Sequence, residues 1–171
     1  MAAFGAEGMD AAAPAAFLRG YVRPDHPVMR EVSAALAAAT GADLDQAPMG
    51  TDGCSIPTYA FALRQLALGF ARIGTGLGLS DGHARAAKRL RQAVAASPFH
   101  VAGTGRLDTR LMRQLGERLF CKVGAEGVYG AALPEADQAR VQMLPVRDHY
   151  DEARWAQAVQ SAVERLVGSA G

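Results

Sequence analysis

The sequence predicts an α+β fold, with helices first, then a small antiparallel sheet, then a C-terminal helix. Three observations carry that prediction. Apolar residues recur at helical spacing from Val28 to Leu115. The period then shortens toward two over "RLFCKVGAEGVYGAALPE" (118–135), where Gly124 and Gly127 suggest a hairpin or bulge. Helical spacing returns over 151–167. Helices kept apart from a run of sequential strands make an antiparallel sheet packed on helices.

The first helix is expected within "RPDHPVMREVSAALAAATG". Pro27 suits the first helical position, Asp25 or His26 can cap it, and Gly41 can end it in the left-handed conformation. Val28, Val32, Leu36 and Ala39 are its predicted apolar face. A second helix is expected from Pro57, with Tyr59, Leu63, Leu66, Phe70 and Ile73 on one side, broken by "GTGLGLS" at 74–80. Ser80 then caps a third helix over 81–96. Its inward residues are predicted as Ala84, Ala87, Leu90 and Val94, and its solvated face as Arg85, Lys88, Arg89 and Arg91. Ser97 precedes a proline, which ends that helix. Asp108 is the expected cap of a short helix carrying Leu111, Met112 and Leu115. The hairpin of 118–135 follows, then a further strand in "ARVQMLPV", then a helix with Trp155, Ala158, Ala162, Val163 and Leu166 in one stripe.

The 171 residues suit one domain (18–171) behind a flexible Ala/Gly-rich tail (1–17). Half of them are hydrophobic, but much of that half is alanine, which buries little area. The net charge of +1 gives no reason to expect nucleic acid or an anionic membrane as partner. No apolar run reaches the roughly 18 residues a membrane helix needs. Glu7 and Asp10 precede the first basic residue, unlike a secretory signal. The expected location is therefore cytoplasmic, with Cys54 and Cys121 as reduced thiols.

Chemistry concentrates in "GTDGCSIPTYAF" (50–61). A carboxylate two residues from a thiol can help bind a metal, can orient a substrate ammonium, or can form an Asx-turn. The Asx-turn is the commonest use of such a pair before a helix. Cys121, on a predicted strand, reads as a buried small hydrophobe. "AGTGRLDT" (102–109) sets two glycines and an arginine before a helix, a turn able to present backbone N–H groups to a carboxylate. It is not a phosphate loop, because no Gly-Lys-Ser/Thr follows. "KVGAEGV" (122–128) puts Lys122 and Glu126 in a glycine-rich hairpin, where an exposed ion pair would contribute little. The four histidines lie far apart and read as caps or surface residues. No Ser-x-x-Lys occurs, so a serine nucleophile with an adjacent lysine base is absent.

Four blocks follow in order over residues 19–135: "GYVRPDHPVMREV", "GTDGCSIPTYAFALRQLALGFAR", "VAGTGRLDTRLM" and "KVGAEGVYGAALPE". Together they resemble the bacterial L-asparaginase II-like family, zinc-containing enzymes whose fold is similar to serine β-lactamases and glutaminases. The resemblance implies hydrolysis of L-asparagine to L-aspartate and ammonia. It implies Asp52 as a residue needed for activity and Cys54 as a zinc ligand. Gly103, Arg106, Lys122 and Glu126 fall in matching blocks and are taken as pocket walls. The family's chain is about twice as long. Its Ser-x-x-Lys pair and its remaining zinc ligands stand in a first half that has no counterpart here, so the resemblance is to a C-terminal half. A catalytic lysine precedes the family's last helix, and Arg147 falls nearest that place. Arginine cannot give up its proton in that role. The expectation is a chain weakly active or inactive alone. The alternative is a non-enzymatic helical domain that associates with a second copy or with a complementary N-terminal half.

Overall fold

In the computed structural model of the chain, residues 17–125, 128–134 and 138–143 are described, together with Gln157 and Ser161. The predicted tail, Glu126, Arg147 and nearly all of the predicted helix 151–167 lie outside the described residues. The fold is mixed α+β, as the periodicities predict. No described helix is long and apolar enough to cross a membrane. The chain divides into two compact units: residues up to Ala37 with Ala42–Phe61, and Ala38–Gly41 with Ala62 onward.

The first unit opens with helix α1, Pro27–Thr40, whose last turn belongs to the second unit. His26 is its cap. Nδ1 accepts the Val28 N–H at 3.1 Å, while Nε2 is 2.9 Å from the Phe17 carbonyl oxygen, which makes the latter nitrogen the donor. The inward stripe is Met29, Ser33, Leu36, Ala37 and Thr40, at i, i+4, i+7, i+8 and i+11. The sequence predicts Val32 on that face, but it is 47% exposed. Ser33 turns inward instead, and its hydroxyl meets the Tyr59 hydroxyl at 2.9 Å. Gly41 ends the helix at φ 68°, as expected.

Strands β1 (Met49–Thr51) and β2 (Pro57–Tyr59) form an antiparallel hairpin with Met49 opposite Tyr59 and Thr51 opposite Pro57. This corrects the helix predicted from Pro57. The turn over 52–56 reverses the chain, so the residues after it pair with those before it. A proline lacks an N–H, and at a strand's first residue that loss is tolerated.

The second unit holds α2 (Leu63–Thr75), α3 (Asp81–Ala96), α4 (Pro98–Ala102), α5 (Leu107–Leu115), a 3₁₀ turn (Gly116–Arg118), and strands β3 (Phe120–Val123), β4 (Val128–Leu133) and β5 (Gln138–Met143). Helix α2 begins where the Gln65 side chain accepts the Ala62 N–H, half of a capping box, and ends at Gly76 with φ 81°. Ser80 caps α3 by accepting the His83 N–H. The predicted bounds of α3 hold, and so does its inner face except at Leu90. Leu90 is 60% exposed, and Arg91 turns inward beside Ala84, Ala87 and Val94.

The sheet runs in the order β3-β4-β5 with antiparallel pairing, Cys121 opposite Ala131 and Gly130 opposite Val141. Helix α2 packs on one face of β4 and β5. Close approach there depends on small residues. The Phe70 ring lies over Gly130 where any Cβ would collide, and a Cβ on Gly74 would stand 2.9 Å from that of Ala132. The opposite face forms the core, in which Cys121, Tyr129, Ala131 and Leu133 meet Leu107, Leu111, Met112 and Leu119. Within this unit the sheet is therefore a middle layer between α2 and α5.

Candidate functional site

The Asp52–Ile56 turn is built by one carboxylate oxygen. Asp52 Oδ1 accepts the Cys54 N–H at 2.8 Å and the Ile56 N–H at 3.2 Å. The Asp52 N–H donates to the Ile56 carbonyl, and the Ser55 N–H to the Asp52 carbonyl. Ser55 adopts φ 66°, an uncommon conformation for a residue with a Cβ. The Asx-turn expected from the sequence is present, but it closes a hairpin rather than starting a helix. Asp52 and Cys54 are both exposed. Since Oδ1 is committed to two amides, Oδ2 is the oxygen that can meet a ligand. Zinc needs three or more protein ligands. No group of three or more His, Cys, Asp or Glu side chains that could hold a metal exists among the described residues. By themselves Asp52 and Cys54 do not fit that ion.

The other predicted residues stand in the second unit. Gly103 and Gly105 take φ 91° and 72°, so the turn they form is tight, and Arg106 is the N-cap position of α5. Asp108 is not the cap that its type suggests. It lies inside the first helical turn, fully buried, and its Oδ1 accepts the Val123 N–H of β3 at 2.9 Å. Thr109 beside it donates to the Gly103 carbonyl at 2.6 Å. The Gly103–Arg106 turn and the end of β3 are thereby brought together, although they stand far apart in sequence. Lys122 falls on the other face of β3, the face shared with Phe120 and Gly130. It is exposed, and its Nζ donates to the Val123 carbonyl at 2.7 Å. A groove of about 410 Å³, lined by Ser97, His100, Met112 and Arg113 among others, includes none of the predicted site residues.

Two buried titratable groups flank Asp108. Burial pushes the Cys121 thiol up to about 12, partly offset by its hydrogen bond with the Tyr129 hydroxyl. Burial also raises Tyr129 well above the ordinary phenol, with Cys121 as the next cause. Neither is a nucleophile at neutral pH. Sequence reasoning missed Asp108, Thr109 and Tyr129 as a group. The one available signal was polar residues on the inner positions of an apolar helix face and strand.

A family model for L-asparaginase II matches residues 8–164. The chain belongs to the L-asparaginase II family. No curated protein matches it. Within this L-asparaginase II family chain, the match spans the Asp52–Cys54 hairpin, the Gly103–Arg106 turn and β3 alike.

Proposed function

We propose that the chain bears part of the pocket of an amidohydrolase acting on L-asparagine, and that the reaction needs a nucleophile and base supplied by further polypeptide. Membership of the L-asparaginase II family over 8–164 is the observation that carries this. The sequence supports the second clause, because acyl transfer needs a nucleophile, a base and oxyanion donors together, and no Ser-x-x-Lys is present. In this reading Asp52 meets the substrate through Oδ2. Cys54 gives one ligand to a zinc site completed by other residues. Gly103, Arg106, Lys122 and Glu126 shape the pocket. The family's relation to β-lactamase-like folds and a cytoplasmic location belong to the same reading.

The test is ammonia release from L-asparagine by the purified chain, with L-aspartate binding followed by NMR. Binding without turnover is expected. Turnover above about 1 s⁻¹, the lower end of ordinary enzyme rates, would show that the chain holds its own nucleophile. No binding of L-aspartate would sink the pocket assignment.

A second reading, association without catalysis, draws on exposed apolar side chains: Leu77 is 67% and Leu90 60% exposed. The associating partner would be a second copy or a complementary N-terminal segment. Light scattering across concentrations decides between a self-associating chain and a monomer.

A further inference from the structure

Helix α3 ends at Ala96 because Ser97 precedes a proline, and the chain turns at once into the five-residue α4. Helix α5 packs on α4 and stops at Gly116, which takes φ 57°. Between these helix ends lies the groove of about 410 Å³, a volume in the range of small-molecule sites. It falls wholly within the second unit. Pro98 and Met112, both buried, form its apolar floor. Phe99 lines it as well. Its side chain is 48% exposed, and its ring stands edge-on to that of His100, with centroids 5.5 Å apart.

The charge lining the groove is of one sign. Arg113 and His100 line it, and no carboxylate does. A cation in the last turn of a helix answers the helix dipole, which explains a base at Arg113 but not its place on a cavity wall. Among the described residues Arg113 makes no side-chain hydrogen bond or ion pair, and Glu117, one turn on, is exposed and not paired with it. The surroundings reinforce the sign. Residues 63–125 carry eleven Lys and Arg against three Asp and Glu, while the rest of the chain carries seven against fourteen. The net charge of +1 conceals that segregation. Arg85, Lys88 and Arg89 are exposed on α3, and the helical row Lys88, Gln92, Ala95 runs down to the groove. A concavity with low-dielectric walls and one sign of charge concentrates counter-ions.

We propose that this groove is a site for a small organic anion carried on a planar apolar body, an aryl phosphate or an aryl carboxylate. The Arg113 guanidinium pairs with the anionic oxygens, since its planar fork matches two acceptors. A ring N–H of His100 is a further donor. The Phe99 ring packs on the apolar body, above the floor of Pro98 and Met112. The site shares no residue with the asparagine pocket proposed above, and it stands whether or not that reading holds.

The test titrates the full labelled chain with phenyl phosphate and with benzoate, and with inorganic phosphate and phenol as the separate halves of the ligand. Amide shifts are read at Phe99, His100, Arg113 and Gly116. One of the two aryl anions is expected to saturate these shifts with a Kd of about 1 mM or below, and the tighter of the two identifies the anionic group. Inorganic phosphate and phenol should each bind at least about tenfold more weakly. Arg113→Gln should weaken the aryl anion about tenfold, and Arg113→Lys, which keeps the charge without the fork, by less. Phe99→Leu should cost about threefold. Arg110→Gln, exposed on α5 outside the groove, should stay within about twofold. No saturation by either aryl anion up to about 10 mM would overturn the site. Equal weakening in Arg113→Gln and Arg110→Gln would do the same, because it marks diffuse attraction to the basic segment. Inorganic phosphate binding as tightly as phenyl phosphate would remove the apolar half of the ligand. If Phe99→Leu unfolds, the exposed Arg113 variants decide the proposal.

Discussion

The Arg91 guanidinium of α3 donates through Nη1 to the carbonyl oxygen of Gly74 in the last turn of α2. Arg72 of α2 does the same for α1, with Nη1 donating to the Ala38 carbonyl at 2.8 Å and to Ala39 at 3.3 Å. Each helix end has orphan carbonyls and a partial negative charge, and an arginine from the next helix answers both. Arg91→Met, which keeps much of the apolar stem, should cost about 1.5–3 kcal/mol, the range for hydrogen bonds to charged groups. Urea midpoints measure it. An exposed-face control such as Arg89→Met should stay within about 0.5 kcal/mol. Equal losses in the two variants would show that the Gly74 contact adds nothing.

The Phe70 ring on Gly130 sets how closely α2 approaches the sheet. Gly130→Ala should be destabilising by overpacking, typically about 1–3 kcal/mol. The loss should shrink when Phe70→Leu is added, because the smaller side chain makes room. A double-mutant cycle on urea unfolding reads the coupling, expected at more than about 0.5 kcal/mol. Additive losses would mean that the two residues do not share the space.

Asp52 Oδ1 holds the turn, whereas the proposed ligand contact uses Oδ2, so two substitutions separate the two roles. Asp52→Asn keeps an Oδ1 acceptor for the Cys54 and Ile56 amides, and should leave stability nearly unchanged while removing the charge. Asp52→Ala should lose the turn at about 1 kcal/mol, as loss of a comparable cap does. If Asp52 meets the ligand, both variants weaken L-aspartate binding. If only Asp52→Ala does, the residue acts solely as the turn's scaffold.

Periodicity made most of the second unit legible. The ends of α3, the glycine hairpin between β3 and β4, and buried Cys121 follow from spacing and residue type. What escaped was set by partners distant in sequence. Residues 90 and 91 are one step apart, and apolar character favoured Leu90 as the inner one. The carbonyl of Gly74 reverses that choice, and nothing local to α3 announces it. Asp108 looks like a cap because its usual partners are the next amides, yet its partner is Val123, fifteen residues on. Pro57 resembled a helix start until the Asp52 turn fixed the pairing of β1 with β2. Asp52 and Cys54 were legible as a turn, and no cluster of three or more His, Cys, Asp or Glu that could hold a metal includes them among the described residues.

The two thiols should differ sharply in reactivity. Cys54 is exposed on a hairpin tip, and Cys121 is buried with its thiol pushed up to about 12. Titration with a chromogenic disulfide at pH 8 should find one fast thiol in the native chain and two after denaturation, with the fast one lost in Cys54→Ser. Zinc added beforehand should leave that rate unchanged if no further ligands join Cys54. Protection by zinc at stoichiometric amounts would show a complete metal site.

Alkaline stability tests the buried Cys121–Tyr129 pair. Both groups hold their protons more tightly when folded than their ordinary values of 9.0 and 10.0 allow. Below pH 9 the folded and unfolded chains both keep these protons, so the pair adds no pH dependence. Above it the unfolded chain loses the thiol proton while the folded chain retains it, and stability falls as pH rises toward 12. The slope approaches about 1.4 kcal/mol per pH unit for one proton, and grows once the unfolded chain's phenol also ionises. Urea midpoints at pH 8, 9.5 and 10.5 read the slope. Cys121→Ala should flatten the fall that begins near pH 9, and Tyr129→Phe the part that sets in above pH 10. Slopes unchanged in the double variant would place the alkaline transition in other groups and remove the pair's role.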